Sequence, residues 1–135
     1  MIISVRISRR TPEAEFEKLN RRLLAKVARG ATLVGGWISP FEKAVKSAAL
    51  EMGGKVIALL PEGMGRYYKP AGRDFGYCAN GQLLQLSPFA AKTTSVQQQG
   101  SAGVRDHYGK ARFEWLNLAA KAMADYAMGY AVPNA

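Results

Sequence analysis

Cysteine, histidine and acidic residues are all scarce in this chain, and each scarcity removes a class of protein. A single cysteine, Cys78, excludes an internal disulfide and with it the stapled secreted scaffolds. A single histidine, His107, supports neither a Ser-His-Asp relay nor a zinc site. Long apolar runs are missing as well. The longest, Val56 to Pro61, is strand-sized, and no charged-then-apolar leader opens the chain, so the expectation is a soluble cytoplasmic protein without a membrane partner. No internal repeat or coiled-coil heptad is present.

Acidic residues number 10 against 19 Lys and Arg, a net charge of +9. Such a field draws polyanions by steering and counterion release, and nucleic acid is the partner it points to. The plainer alternative is a basic surface that only keeps the protein in solution. The cations are spread along the chain, so only folding can gather them into a patch. A length of 135 residues with 48% hydrophobic content suits one compact domain with a real core.

The apolar pattern alternates between strand and helix. Residues 2–5 form a β-branched run, and Thr11-Pro12 then reads as an N-cap with proline at the first helical position. Phe16, Leu19, Leu23 and Val27 recur at helical steps, with Glu13 and Glu15 at the start, Lys26 and Arg29 near the end, and Gly30 as the stop. Residues 31–34 read as a second strand, 40–52 as a second helix stopped by Gly53, and 55–60 as a third strand. A short helical piece over 73–79 and a strand over 82–86 follow. Residues 89–107, rich in Ala, Ser, Thr, Gln and Gly, read as a long loop, expected to be mobile or ordered by a ligand. A helix over 109–124, with Ala111, Trp115, Leu118 and Ala122 on one face, leads to an edge strand over 126–132. Apolar strands joined by crossover helices predict an α/β fold, a Rossmann-like three-layer sandwich on a mostly parallel sheet.

Ligands of such sheets bind beyond the carboxyl ends of the strands, where helix N-termini present N–H groups to anions. Arg9 and Arg10 follow the first strand there, either as phosphate contacts or as a solvated pair. Trp37 follows the second strand. It offers a base-stacking face worth ~1–3 kcal/mol, or else it packs its loop onto the sheet. Gly63-Met64-Gly65 follows the third strand, where glycine permits a tight turn, and Arg66 adjoins it. The dinucleotide fingerprint G-x-G-x-x-G fails, because Tyr68 holds the third glycine position. Cys78 reads as a buried small hydrophobe, and Glu42, Glu62 and Asp74 as ion-pair partners. No catalytic constellation emerges, and no cofactor or metal is expected.

One stretch, residues 48–88, carries a specific order of signals: a Gly53-Gly54 helix end, an apolar strand, the glycine turn, a Tyr-x-Pro-x-x-Arg element and Asn80-Gly81 before a second strand. It resembles the Rossmann-like domain of the DprA/Smf DNA-processing family, within the SLOG superfamily, at Ala49, Leu50, Gly53, Gly54, Gly63, Tyr68, Pro70, Arg73, Gly81, Leu83, Leu84 and Pro88. The resemblance implies single-stranded DNA binding and makes Arg73 the leading anion ligand. Ile7-Ser8-Arg9-Arg10 resembles the family's G-S-R element, with isoleucine for its glycine. Gly36 keeps the family's glycine, but Ser39 stands at its phosphate-binding arginine, Glu42 at its aspartate and Lys46 at its histidine, so the site is rebuilt from Lys43, Lys46 or Arg9 or no longer serves DNA. In the last helix Asn117 matches the family's asparagine, whereas Leu116 and Leu118 replace two arginines, leaving Lys110, Arg112 and Lys121 either as substitutes on the outer face or as the helix's solvated side. Pro61 to Arg66 also resembles the nucleotide loop of LOG-type phosphoribohydrolases, but Lys69 stands at their catalytic glutamate. The expectation is a non-enzymatic binder of single-stranded DNA. Its alternatives are a receptor for a small nucleotide or nucleotide-derived anion, and a homo-oligomeric scaffold.

Overall fold

A computed structural model describes residues 1–89 and 110–130. The elements are β1 (Ile2–Ile7), α1 (Glu13–Ala28), β2 (Thr32–Gly35), α2 (Pro40–Glu51), β3 (Lys55–Leu59), α3 (Arg73–Ala79), β4 (Leu83–Leu86), α4 (Lys110–Met123) and β5 (Tyr126–Tyr130). All five strands are parallel, in the order β4-β3-β2-β1-β5. The chain winds outward from β1 to β4, then returns through α4 to place β5 on the other side of β1. The protein is an α/β Rossmann-like sandwich with its topological switch between β1 and β5.

Alternation along the strands assigns the two faces. Ile3, Val5 and Ile7 of β1 join Leu33, Val56, Ala58 and Leu83 under α1 and α2, with Tyr77 and Cys78 of α3 packed partly against them. Val34 and Leu59 point the other way, under Leu116 and Ala120 of α4. Both faces of the central strands are therefore dry, as a parallel sheet requires.

Local signals explain most boundaries. Gly53 takes φ 84 at the end of α2, a conformation natural to glycine. Gly54 then passes so close to α2 that an added Cβ would lie 2.8 Å from Ala49 O, which fixes how tightly the chain turns into β3. The start of α1 departs from expectation. Pro12 itself is the N-cap, and the Thr11 hydroxyl donates to Ser8 O at 2.6 Å rather than accepting from the helix, so no side chain caps α1.

The buried face of α4 also differs from the expected stripe. Trp115 (48%) and Leu118 (66%) are exposed, as are Ala111 and Ala122, whereas Leu116 and Ala120 are wholly buried. The two stripes lie one residue, about 100°, apart. Ala119 and Ala120 let the helix approach the sheet closely, and Leu116 fills the space over Val34 and Leu59. Of the expected long loop, residues 90–107 lie outside the described residues, as do 131 and 132 of the expected last strand. No helix among the described residues is long and apolar enough to cross a membrane.

Candidate nucleic-acid interface

Parallel pairing puts the carboxyl ends of all five strands on one edge, and the β1–α1, β2–α2 and β3–α3 loops lie along it. Gly35 of β2 is in register with Ala58 of β3, so the Gly35-Gly36 and Gly63-Gly65 segments leave adjacent strands. What each loop does there is decided by its hydrogen bonds.

The β2–α2 loop is sealed from within. Ser39 caps α2 by accepting from the Glu42 N–H, and its hydroxyl donates to Ile7 O at 2.6 Å. The Glu42 carboxylate, only 5% exposed, accepts from the N–H groups of Ile7 and Ile38 at 2.8 Å each and of Ser39 at 3.3 Å. Glu42 thus occupies the anion position at the N-terminus of α2 with an internal charge and stitches the end of β1 to the loop beside it. A phosphate is excluded there by both geometry and sign. Glu42 makes no ion pair with any described residue, contrary to the expectation from the sequence.

Trp37 belongs to the same seal. It is 5% exposed, adopts φ 53 and donates its indole N–H to Ile57 O at 3.0 Å, with its ring over Gly35. It offers no face to a base. The backbone strain of a non-glycine residue in that conformation is held by the burial and the hydrogen bond. At Gly36 a side chain would press on Ile38, 3.1 Å away, so its glycine serves packing inside the loop.

Two expected phosphate contacts lie away from the edge. Lys46 is about 9 Å along α2 from Pro40, and its ammonium pairs with Asp74 at 3.0 Å in a half-buried contact. Arg73 is exposed and reaches Glu51 at 3.7 Å, at the far end of α2, about 16 Å from that helix's start. Both join α2 to α3. Surface pairs like the second contribute little, but its position places Arg73 well below the strand ends.

The β3–α3 loop has its tight turn at Gly65 to Tyr68, where the Tyr68 N–H donates to Gly65 O at 3.1 Å. Gly63 precedes this turn, and neither it nor Gly65 has a positive φ. The turn tip carries Arg66 over the ring of Tyr67 at 5.4 Å, with Tyr67 85% exposed and Lys69 exposed beyond it. The Tyr68 hydroxyl bonds the side chain of Gln85, anchoring the loop to β4. The adjacent pair of tyrosines between Arg66 and Lys69 is a basic and aromatic signal legible in the sequence but overshadowed there by Trp37.

Arg9 and Arg10 are exposed just beyond β1, and neither they nor Arg66 make an ion pair with any described residue. Arg112 ties the start of α4 to the end of β3, donating to Pro61 O at 2.6 Å and lying 4.0 Å over the Phe89 ring. Asn117 and Lys121 sit on α4 above β1 and β5, away from the three loops. His107 lies outside the described residues, and among those described no three His, Cys, Asp or Glu side chains converge as a metal site would.

Burial raises the Cys78 thiol above its ordinary range, Asp74 adds to the rise, and Lys46 opposes it. Tyr68 is raised too, first by burial, then by Cys78, Asp74 and Glu62, against the bond to Gln85. Groups held protonated in the fold contribute stability below their ordinary pKa and lose it as pH rises through the raised one. Denaturant midpoints are expected to fall from about pH 9 upward, less steeply in Cys78→Ala. Iodoacetamide should modify Cys78 more slowly at pH 8 than it modifies a free cysteine; an equal or faster rate would mean that burial does not hold the thiol protonated.

No family model matches the chain, and no curated protein or solved structure matches it significantly. The class is therefore defined by topology alone: an all-parallel, five-stranded Rossmann-like protein with a basic carboxyl edge.

Proposed function

We propose that the chain is a cytoplasmic, non-enzymatic binder of single-stranded DNA, held along the carboxyl edge of the sheet. The observation that carries this reading is that the loops at the carboxyl edge expose three arginines, Arg9 and Arg10 after β1 and Arg66 after β3, that make no ion pair with any described residue. Their strands are two places apart, about 10 Å, a span that neighbouring phosphates of one strand can bridge. Tyr67, the most exposed aromatic ring in the described chain, stands beside Arg66 as the stacking surface. The net charge of +9 and the DprA/Smf-like residues between Ala49 and Pro88 support the same reading.

Salt dependence tests it. Fluorescence anisotropy with a labelled oligothymidylate should give a linear log–log plot of affinity against salt. Arg9→Ala, Arg10→Ala and Arg66→Ala should each reduce its slope by about one, while Lys46→Ala and Arg73→Ala leave it unchanged. If the oligonucleotide fails to bind even at low salt, the DNA reading is wrong and the small-nucleotide receptor takes its place. Competition by free nucleotides with a shallow salt slope would point the same way.

A further inference from the structure

Between α4 and the strands β1 and β5 lies a cleft of about 290 Å³, on the sheet face opposite α1 and α2. Ser4 forms its floor, Asn117 and Ala120 its helical wall, and Arg6, Lys121 and Gly129 its mouth. Arg6 and Lys121 are exposed cations, and no carboxylate lines the cleft among the described residues.

Ser4 is the telling residue. It is 4% exposed in the middle of a buried parallel strand, between Ile3 and Val5, where an apolar β-branched side chain would be expected. Its hydroxyl makes no hydrogen bond with any described residue, although it lines the cleft. The hydroxyl opens onto the cleft rather than being sealed inside the sheet, so it is a hydrogen-bonding group presented to whatever enters there. Gly129 contributes from the opposite strand. An added Cβ would run into the Arg6 carbonyl oxygen, so β5 can lie this close to β1 only with glycine there, which also leaves the mouth open.

We propose that this cleft binds a small phosphate-bearing ligand, no larger than a nucleoside monophosphate. Arg6 and Lys121 balance its charge, and the Ser4 hydroxyl and the Asn117 amide hydrogen-bond its oxygens. A dianionic phosphate matches this set, with charge-assisted donors at the mouth and neutral donors within. The volume sits near the lower limit of small-molecule pockets, which excludes a dinucleotide. This inference is independent of the DNA reading, because the cleft and the carboxyl-edge arginines share no residue.

The test is nuclear magnetic resonance titration of the full chain with inorganic phosphate, adenosine 5′-monophosphate and adenosine. Both phosphates should shift the amide signals of Ser4, Arg6, Asn117 and Lys121, and adenosine should not. Arg6→Gln and Lys121→Gln should each weaken phosphate-dependent binding roughly 10- to 100-fold. Ser4→Val should abolish binding while leaving the melting temperature unchanged or higher, since valine suits a strand interior and no hydrogen bond to a described residue is lost. It should leave oligonucleotide affinity at the edge unchanged. The proposal is overturned if phosphate shifts none of these signals, if adenosine shifts them equally, or if Ser4→Ala lowers the melting temperature, which would give the hydroxyl a structural partner.

Discussion

Replacing Glu42 by alanine is expected to lower the unfolding free energy by about 3–5 kcal/mol, with a fall in melting temperature of roughly 10–15 °C by calorimetry. The carboxylate accepts from three backbone N–H groups, on Ile7, Ile38 and Ser39, in a place closed to water. Removing it leaves buried donors unsatisfied, each worth about 1–3 kcal/mol, and also dismantles the capping box of α2. Glu42→Gln should be intermediate. One amide oxygen can still serve Ile38 and Ser39, but the amide nitrogen then faces the Ile7 N–H, donor against donor. A melting temperature for Glu42→Ala within about 2 °C of the parent would show that the loop does not depend on this network.

Trp37→Ala is expected to cost about 3–5 kcal/mol of stability and nothing in oligonucleotide affinity per folded molecule. Its ring fills the space over Gly35 and its N–H donates to Ile57 O, so truncation opens a cavity and removes that bond without touching any surface a base can reach. Tyr67→Ala should behave in the opposite way. At 85% exposure it should change stability by less than about 0.5 kcal/mol, and weaken binding by about 1–3 kcal/mol, roughly 5- to 150-fold. Chemical denaturation and anisotropy on the same two variants separate the roles. A Trp37 variant that is stable yet fails to bind would reverse the assignment.

The contrast between these two aromatics shows where reading the chain succeeds. Strand and helix order was legible because it rests on local patterns, and α3 runs from Arg73 to Ala79 as the sequence alone suggests. The glycine stops at Gly30 and Gly53 were legible for the same reason, since positive φ is a property of one residue. Motif position also put Arg9 and Arg66 at strand ends without need of coordinates.

Contacts between distant residues decided the rest. A charged side chain looks the same in a sequence whether it is free or paired, and the partners of Lys46 and Arg73 lie 28 and 22 positions away. Ser39 and Glu42 stand where the resemblance places an arginine and an aspartate, yet their bonds to Ile7 are made across two strands. Which stripe of α4 is buried depended on how closely Ala119 and Ala120 let that helix approach the sheet, a packing outcome that periodicity does not rank. The sequence by itself determined the βα alternation, the excess of positive charge and the loops that end each strand, because propensity, charge count and chain order are local or additive. Only the tertiary structure decided which cations at the carboxyl edge make no ion pair among the described residues, that Glu42 fills the helix start meant for an anion, and that Ser4 faces a cleft, because hydrogen bonding and burial depend on which distant residues meet.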